Sequence, residues 1–399
     1  MHFQRISRLL GFLLALGLLT APMFGATTPQ HKKRARLRKR VVSRSRTVAS
    51  LQPASFVATP HHPVSHLSRL PKKHYIMNPW TEPTFGDSTA GDLIDGEDLV
   101  VRRAAVQALG PFNGSVVVAD PTSGRILSIV NQKLAYKDGF EPCSTAKLVA
   151  SLAGLSEGII NPATLLQAGM RRGMTLTEAI AHSNNPFFYG VGEKLGYDRI
   201  AKYARLFGYG EKASTIDEEQ PSSIADAPPA DGPGMMTVFG LGIEQTPLQL
   251  AALVSAIANG GDLYYLQHPK SQDDIAQFVP RLKRHLDIEQ YIPYMKPGMM
   301  GAVEFGTARR AAYNPNEPIF GKTGTCTDNR VPTHLGWFGS FNEVGSKKIV
   351  VVVLLTGGKP VNGPVAAGVA GAVYKNLSQE NYFGQGAAVA PVAMISTQE

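Results

Sequence analysis

Apolar positions along the chain change their period twice. From Leu93 to Leu109, residues Leu93, Leu99, Val100, Ala104, Val106 and Leu109 fall on one helical stripe, and Gly110-Pro111 supplies a stop. Gly114 to Asp120 and Arg125 to Asn131 are β-branched runs around Pro121-Thr-Ser-Gly124, which predicts a hairpin. From Ser144 to about Gly260 helical periods dominate. They cover Leu148 to Leu155, Thr175 to His182, Pro186 to Leu195, Tyr197 to Phe207 and Pro247 to Asn259, with Gly196, Gly208 and Gly260 where helices should stop. After Met299 the pattern turns to strands at Pro318 to Thr325, His334 to Phe341 and Ile349 to Leu355. The last is continuously apolar, as in a strand buried on both faces with a layer above and below it. Val365 to Leu377 reads as a closing helix of small residues. The expected fold is α/β (α+β): a mostly antiparallel five-stranded sheet built from the early hairpin and the three late strands. Terminal helices should cover one face, and a large all-helical subdomain the other.

The flanks differ from this core. Residues 1–26 place Arg5 and Arg8 ahead of an apolar run from Leu9 to Leu19, broken by Pro22 and Gly25, as an export signal does. Ala26 suits cleavage and Phe24 does not, while Leu9 to Ala26 is just long enough to span a membrane, so signal peptide and signal anchor both stay open. Residues 27–92 are basic and then rich in Pro, Ser and His without a sustained period, which predicts a disordered linker; residues 93–378 hold the folded domain, and 379–399 a flexible tail. Charge changes the picture once it is divided. The formal net charge is +9, but fourteen of the forty Lys and Arg residues precede Glu82, the first acidic residue, which leaves 26 basic against 31 acidic. The folded part is therefore net negative, which excludes a nucleic-acid enzyme. Lys32 to Arg46 holds nine of the basic residues, either as a solvated arm or as a contact for anionic lipid or wall polymer. On a translocated segment this run opposes the positive-inside tendency.

Candidate chemistry centres on Glu141-Pro-Cys-Ser144-Thr-Ala-Lys147, where a serine and a lysine three residues apart open the apolar helix. A serine hydroxyl is nearly inert at neutral pH and needs a base to take its proton; a spacing of three puts both side chains on one helix face. Ser144 is thus the candidate nucleophile and Lys147 its base. Alone, the pattern also describes an N-cap serine with a solvated lysine one turn later. Two further motifs follow: Ser183-Asn184-Asn185 between two helices, and Lys322-Thr323-Gly324-Thr325 on a strand whose glycine allows close backbone approach. Each has a bland counterpart, a helix cap and an exposed edge. Cys and His are too sparse and scattered for a zinc site, so neither a metal nor another cofactor is expected, and His334 reads as a strand residue packing near the site.

The order S-x-x-K, S-x-N, K-T-G resembles that of penicillin-binding proteins and serine β-lactamases. The likeness continues in Val116 to Asp120 with Gly124 to Leu127, in Ser183-Asn-Asn-Pro-Phe, in Glu193-Lys-Leu-Gly196, and in Tyr203 to Gly208. It extends through Thr246-Pro-Leu-Gln-Leu-Ala251, Ile257-Ala-Asn-Gly-Gly261, Gly306-Thr-Ala308 and Gly336-Trp-Phe338. The chain is identified on these residues as a member of the penicillin-binding transpeptidase family. The resemblance implies an acyl-serine D,D-transpeptidase or D,D-carboxypeptidase that attacks the D-alanyl-D-alanine of a peptidoglycan stem peptide and is acylated by β-lactams. It implies that Ser144 attacks, Lys147 takes the proton, Ser183 relays it and Asn185 binds the substrate amide. Lys322, Thr323 and Thr325 would meet the terminal carboxylate, and the backbone N–H groups of Ser144 and Thr325 would form an oxyanion hole, each donor contributing roughly 3 kcal/mol. A cysteine pair at the offsets of Cys143 and Cys326 resembles the disulfide of class A carbapenemases; two buried thiols are the alternative. The stretch ahead of the domain has neither the length nor the pattern of the large non-catalytic domain usual in elongation and division transpeptidases, and Ser144 to Ser183 is a short separation for the family.

Two other readings stay open at this level. Leu152 to Gly158 and Phe207 to Gly210 resemble class D β-lactamases, although Asn185 stands where that class has an apolar residue and no E-x-x-L-N occurs between Ser183 and Lys322. A sensor that acylates and stops would need an adjoining signalling domain, and the short basic N-terminus offers none.

Overall fold

The computed structural model describes residues 80–384 except 138, 169–170, 313, 329, 331 and 345–346. The export signal, the Lys32 to Arg46 arm and most of the linker and tail lie outside the described residues. Among the described residues no helix is long and apolar enough to cross a membrane.

Helix α1 (Leu99–Leu109) is followed by strands β1 (Gly114–Ala119) and β2 (Ile126–Val130). Next come α2 (Ala146–Ser156), α3 (Leu176–Ala181), α4 (Asn185–Leu206), α5 (Pro247–Asn259) and α6 (Ile292–Glu304). Strands β3 (Ile319–Asp328), β4 (Thr333–Asn342) and β5 (Val350–Gly357) and helix α7 (Gly363–Gln379) complete the domain. The sheet order is β2-β1-β5-β4-β3, with every pairing antiparallel. The apolar run of β5 becomes a central strand whose Val350, Val352 and Leu354 join the helical-subdomain core while Val351, Val353 and Leu355 join the core under the terminal helices. Alternation along one strand thus feeds two separate cores. Small residues of α7, including Ala366 and Ala370, let that helix sit close to the sheet beside Val101 and Ala105 of α1. On the other face Trp337 and Phe341 of β4 pack with residues of α2, α4 and α5. The K-T-G strand, β3, is an edge and so presents one free side to the cleft.

Several boundaries differ from the sequence reading. Helix α1 begins at Leu99, because Asp98 caps it, its carboxylate accepting from the N–H groups of Val100 (3.0 Å) and Val101 (3.2 Å). Residues 93–97 are instead held as turn, since Glu97 accepts from Ser128 and from the Ile129 N–H. The folded unit also starts before residue 93. The Trp80 ring lies 4.4 Å from that of His334, the Thr81 N–H donates to Pro332 O (2.8 Å), and the Gly358 N–H donates to Thr84 Oγ1 (2.9 Å). Asp92 pairs with Arg102 at 2.7 Å and accepts from the N–H groups of Asn131 and Gln132. At the other end Tyr382 OH donates to Asp98 (2.9 Å) and Phe383 is buried, so the domain runs past residue 378. Gly196, by contrast, stops a helix where the sequence places it: its backbone is non-helical, with φ of 72° and ψ of 165°, so α4 is two helices joined across a kink, the second running to Leu206.

Candidate active site

The segment 140–147 folds as a short turn, Cys143–Thr145, running directly into α2, so Ser144 sits just ahead of the regular helix rather than in it. Three tertiary anchors fix this turn. Trp337 Nε1 donates to Glu141 O (3.0 Å), Gln245 Nε2 donates to Thr145 Oγ1 (3.1 Å), and Gln245 exchanges backbone hydrogen bonds with Phe140. The buried Tyr209 hydroxyl in turn donates to Gln245. Sequence reasoning assigned none of these supports. Gln245 directly precedes the Thr246-Pro-Leu-Gln run, but nothing in its type or spacing marks a tertiary role.

Spacing of three on one helical turn does what it should: Lys147 Nζ lies 2.7 Å from Ser144 Oγ. The same nitrogen donates to Asn185 Oδ1 (2.7 Å) and lies 3.3 Å from Ser183 Oγ. From the opposite wall Lys322 Nζ donates to Ser183 Oγ (2.8 Å) and to Thr323 O (3.0 Å). Both lysines are fully buried. Burial lowers the Lys147 amine from its ordinary value to about 7. Lys322 is lowered well below the lysine range by burial and then by the neighbouring charge of Lys147. Ser183 links two amines that disfavour each other's protonation, an arrangement suited to moving a proton across the cleft. Its backbone is left-handed at φ 53°, and Cys143 shares that conformation at φ 52°. Such conformations cost on the order of 1–3 kcal/mol each and persist where the surroundings hold them.

Gly324 is also closely approached by the protein itself. A Cβ there would lie 3.0 Å from Pro142 O, 3.0 Å from Trp337 Cβ and 3.2 Å from Thr145 Cγ2, so the nucleophile turn and β4 both pack against this glycine. Two residues on, Cys326 is bonded to Cys143 with the Cα atoms 5.5 Å apart, and the described residues contain no free cysteine. The disulfide thus ties the K-T-G strand to the residue before Ser144. Thr323 and Thr325 lie on the opposite face of β3, beside the start of α7: Thr325 Oγ1 accepts from the Gly363 N–H (2.7 Å), and Thr323 Oγ1 is 2.7 Å from Thr307 Oγ1. Beyond the disulfide, burial and then the charge of Asp328 push the Glu141 carboxyl up to about 7, against the opposing effect of Arg330. The structure therefore brings Ser144, Lys147, Ser183, Asn185 and Lys322 into one hydrogen-bonded cluster and sets Thr323, Gly324 and Thr325 along its edge. His334 stays outside the cluster, 3.3 Å from Thr327 Oγ1 and against Trp80.

Removing the Cys143–Cys326 bond should act first on this geometry. We expect reduction to slow acylation by about tenfold at a temperature where the domain remains folded, because long-range cross-links act largely on the unfolded chain while this one also fixes the strained residue beside the nucleophile. Thiol titration of the denatured, unreduced protein should find no reactive thiol, and two would contradict the bridge.

This combination of sheet, helical subdomain and lysine–serine cluster matches a known family. The penicillin binding protein transpeptidase domain model covers residues 114–379, and the chain belongs to that family. Among curated relatives, Stage V sporulation protein D of Bacillus subtilis is 27% identical over 314 residues, which cover 68% of this chain and 48% of that protein. The chain thus spans about half the length of that relative. Peptidoglycan D,D-transpeptidase PbpA of Mycobacterium tuberculosis is 25% identical over 335 residues, covering 68% of each chain. Of solved structures, the ceftriaxone acyl-enzyme complex of penicillin-binding protein A from M. tuberculosis aligns with a TM-score of 0.61 at 22% identity, covering 70% of this chain and 78% of the other. The transpeptidase domain of Burkholderia pseudomallei penicillin-binding protein 3 gives 0.62 at 20% identity, covering 73% and 96%. At these identities the structural likeness speaks to the fold.

Proposed function

We propose that the chain is an exported acyl-serine D,D-transpeptidase, able to act as a D,D-carboxypeptidase when water replaces the acceptor, that works on D-Ala-D-Ala stem peptides of peptidoglycan and is acylated by β-lactams. The observation that carries the reading is the 2.7 Å contact between Ser144 Oγ and the amine of Lys147, an amine that burial brings to about 7. A neutral Lys147 accepts the Ser144 proton as the Oγ–carbon bond forms at the penultimate D-Ala carbonyl. Asn185 accepts an N–H from that same amine and so helps turn its lone pair toward Ser144. Ser183, between the two lysines, passes a proton to the leaving D-Ala nitrogen as the amide C–N bond breaks. In the second half an acceptor amine, or water, attacks the ester; its proton returns through the same groups and Ser144 is released. Backbone N–H groups of Ser144 and Thr325 stabilise the oxyanion, while Lys322, Thr323 and Thr325 hold the terminal carboxylate. That anion favours the protonated form of Lys322, opposing the burial that lowers it. No cofactor enters these steps.

A stem pentapeptide incubated with a D-amino acid acceptor tests the reaction. D-Ala release with incorporation of the acceptor is the expected result; release alone marks a carboxypeptidase, rapid penicillin turnover a β-lactamase, and a stable adduct without either peptide reaction a sensor.

Titration of Lys147 sets a pH dependence. The penicillin acylation rate is expected to rise through about pH 7 and level off above it, because only the deprotonated amine accepts the serine proton. A profile flat from pH 5.5 to 8.5 would place the base elsewhere.

The basic arm supports a surface role outside the site. Deletion of residues 27–80 would remove Trp80, which packs on His334, so the informative truncation removes 27–79. It should shift the protein from the membrane or wall fraction to the soluble one and leave acylation within about twofold. A tenfold loss of acylation would make the arm part of the active domain.

A further inference from the structure

We propose that Thr307 is a positioning residue that makes the Thr323 hydroxyl a donor toward the carboxylate of the substrate; the inference rests on the acyl-serine reading above. Thr307 lies in the segment after α6, where the backbone is seated on the turn leading to Ser183. A Cβ on Gly306 would come within 2.1 Å of Ala181 O, and the Thr307 N–H donates to that same oxygen at 3.1 Å. Its hydroxyl therefore has two acceptors in reach, Thr323 Oγ1 at 2.7 Å and Ala181 O at 3.5 Å. A strong O–H···O bond sits near 2.7–2.8 Å, whereas a contact of 3.5 Å is weak, and Ala181 O already holds a backbone donor. A hydroxyl has one proton. With an anion in the cleft to take the Thr323 proton, both protons are well placed only when Thr307 donates and Thr323 accepts; the reverse leaves the Thr307 proton on the poor contact and none on Thr323 for the anion.

The consequence is directional. With its lone pair engaged by Thr307, the Thr323 hydroxyl keeps its own proton for an acceptor in the cleft. Thr325 is prepared in the same way, since the Gly363 N–H donates to its oxygen at 2.7 Å. Two hydroxyls on one edge strand thereby each keep a proton that an anion bound along that edge can accept. Thr307 touches no reacting atom; it acts through Thr323, and by joining the Ala181 turn to β3 it links the wall carrying Ser183 to the wall carrying Lys322.

The test compares benzylpenicillin with its methyl ester, which lacks the charge, on the full-length wild type, Thr307→Val and Thr307→Ser. A hydrogen bond to a charged group corresponds to a change of about tenfold to a hundredfold. Thr307→Val should lower the second-order acylation constant for the free acid by that factor and change the ester constant by less than about threefold, so that the preference for the free acid collapses. Thr307→Ser, which keeps the hydroxyl, should restore the preference. Equal losses for acid and ester would show a merely structural role, and no loss for the acid would show that Thr323 needs no orienting; either overturns the proposal. A wild-type chain that neither compound acylates would overturn the parent reading instead.

Discussion

Replacing Ser144 with alanine is expected to abolish covalent labelling by a fluorescent penicillin while leaving the fold intact. The hydroxyl is the only group of this side chain that the site uses, and its contact with Lys147 is a single hydrogen bond. A net loss of about 1 kcal/mol is typical for one such bond, a small part of the stability of a domain of this size. Nucleophile loss is of another order: removal of a catalytic serine costs roughly a millionfold in a comparable enzyme. Labelling should therefore vanish at any practical exposure time, with a circular dichroism spectrum and melting temperature close to those of wild type. Labelling that persists in Ser144→Ala would move the nucleophile to another residue.

Lys147→Met should slow acylation by about a hundredfold to ten-thousandfold, the range typical of general-base assistance. It should also separate activity from stability, in opposite directions. The folded Lys147 amine is lowered to about 7 from an ordinary 10.5, so below pH 7 both folded and unfolded chains hold the proton and the cost of burying an ammonium is present in full. Between about 7 and 10.5 the unfolded chain binds a proton that the folded chain has released, and this contribution to stability rises with pH. Methionine removes the charge with little change in length. The variant should thus gain melting temperature relative to wild type at pH 6 and gain less at pH 9. Wild-type acylation in Lys147→Met would contradict the assignment of the base; a melting difference independent of pH would contradict the buried, titrating amine.

Much of this architecture was legible where local signals and tertiary packing agree. The Pro247–Asn259 helix is flanked by Thr246, whose side chain accepts from the Gln249 N–H, and by Gly260 in a left-handed conformation, so its ends are written in the sequence. The apolar run at 349–355 announced a central strand because no half-exposed strand can afford it. Helix α6 was not legible, since Pro297 lies inside it and its neighbour Gly298 is there to let Ile180 of α3 pack close. Leu93 to Glu97 fits a helical stripe, yet Asp92 and Glu97 are drawn into bonds with backbone groups of residues 129–132 that no local pattern encodes. The site shows the same division. Ser144 and Lys147 meet because one helical turn sets their distance, whereas Gln245, Trp337 and Thr307 reach the site from segments about 100 or more residues away from the nucleophile. Their roles arise only once the chain has folded. Gly324 could be found by its motif, but the turn that packs against it could not.

The location of the acyl group tests the whole account. Wild-type protein treated with benzylpenicillin and digested should yield one modified peptide, heavier by the mass of the intact drug, with the adduct on Ser144 and Ser183 unmodified. An adduct on any other residue, or no adduct under conditions in which the folded protein persists, would contradict the assignment of Ser144 as the acylated nucleophile.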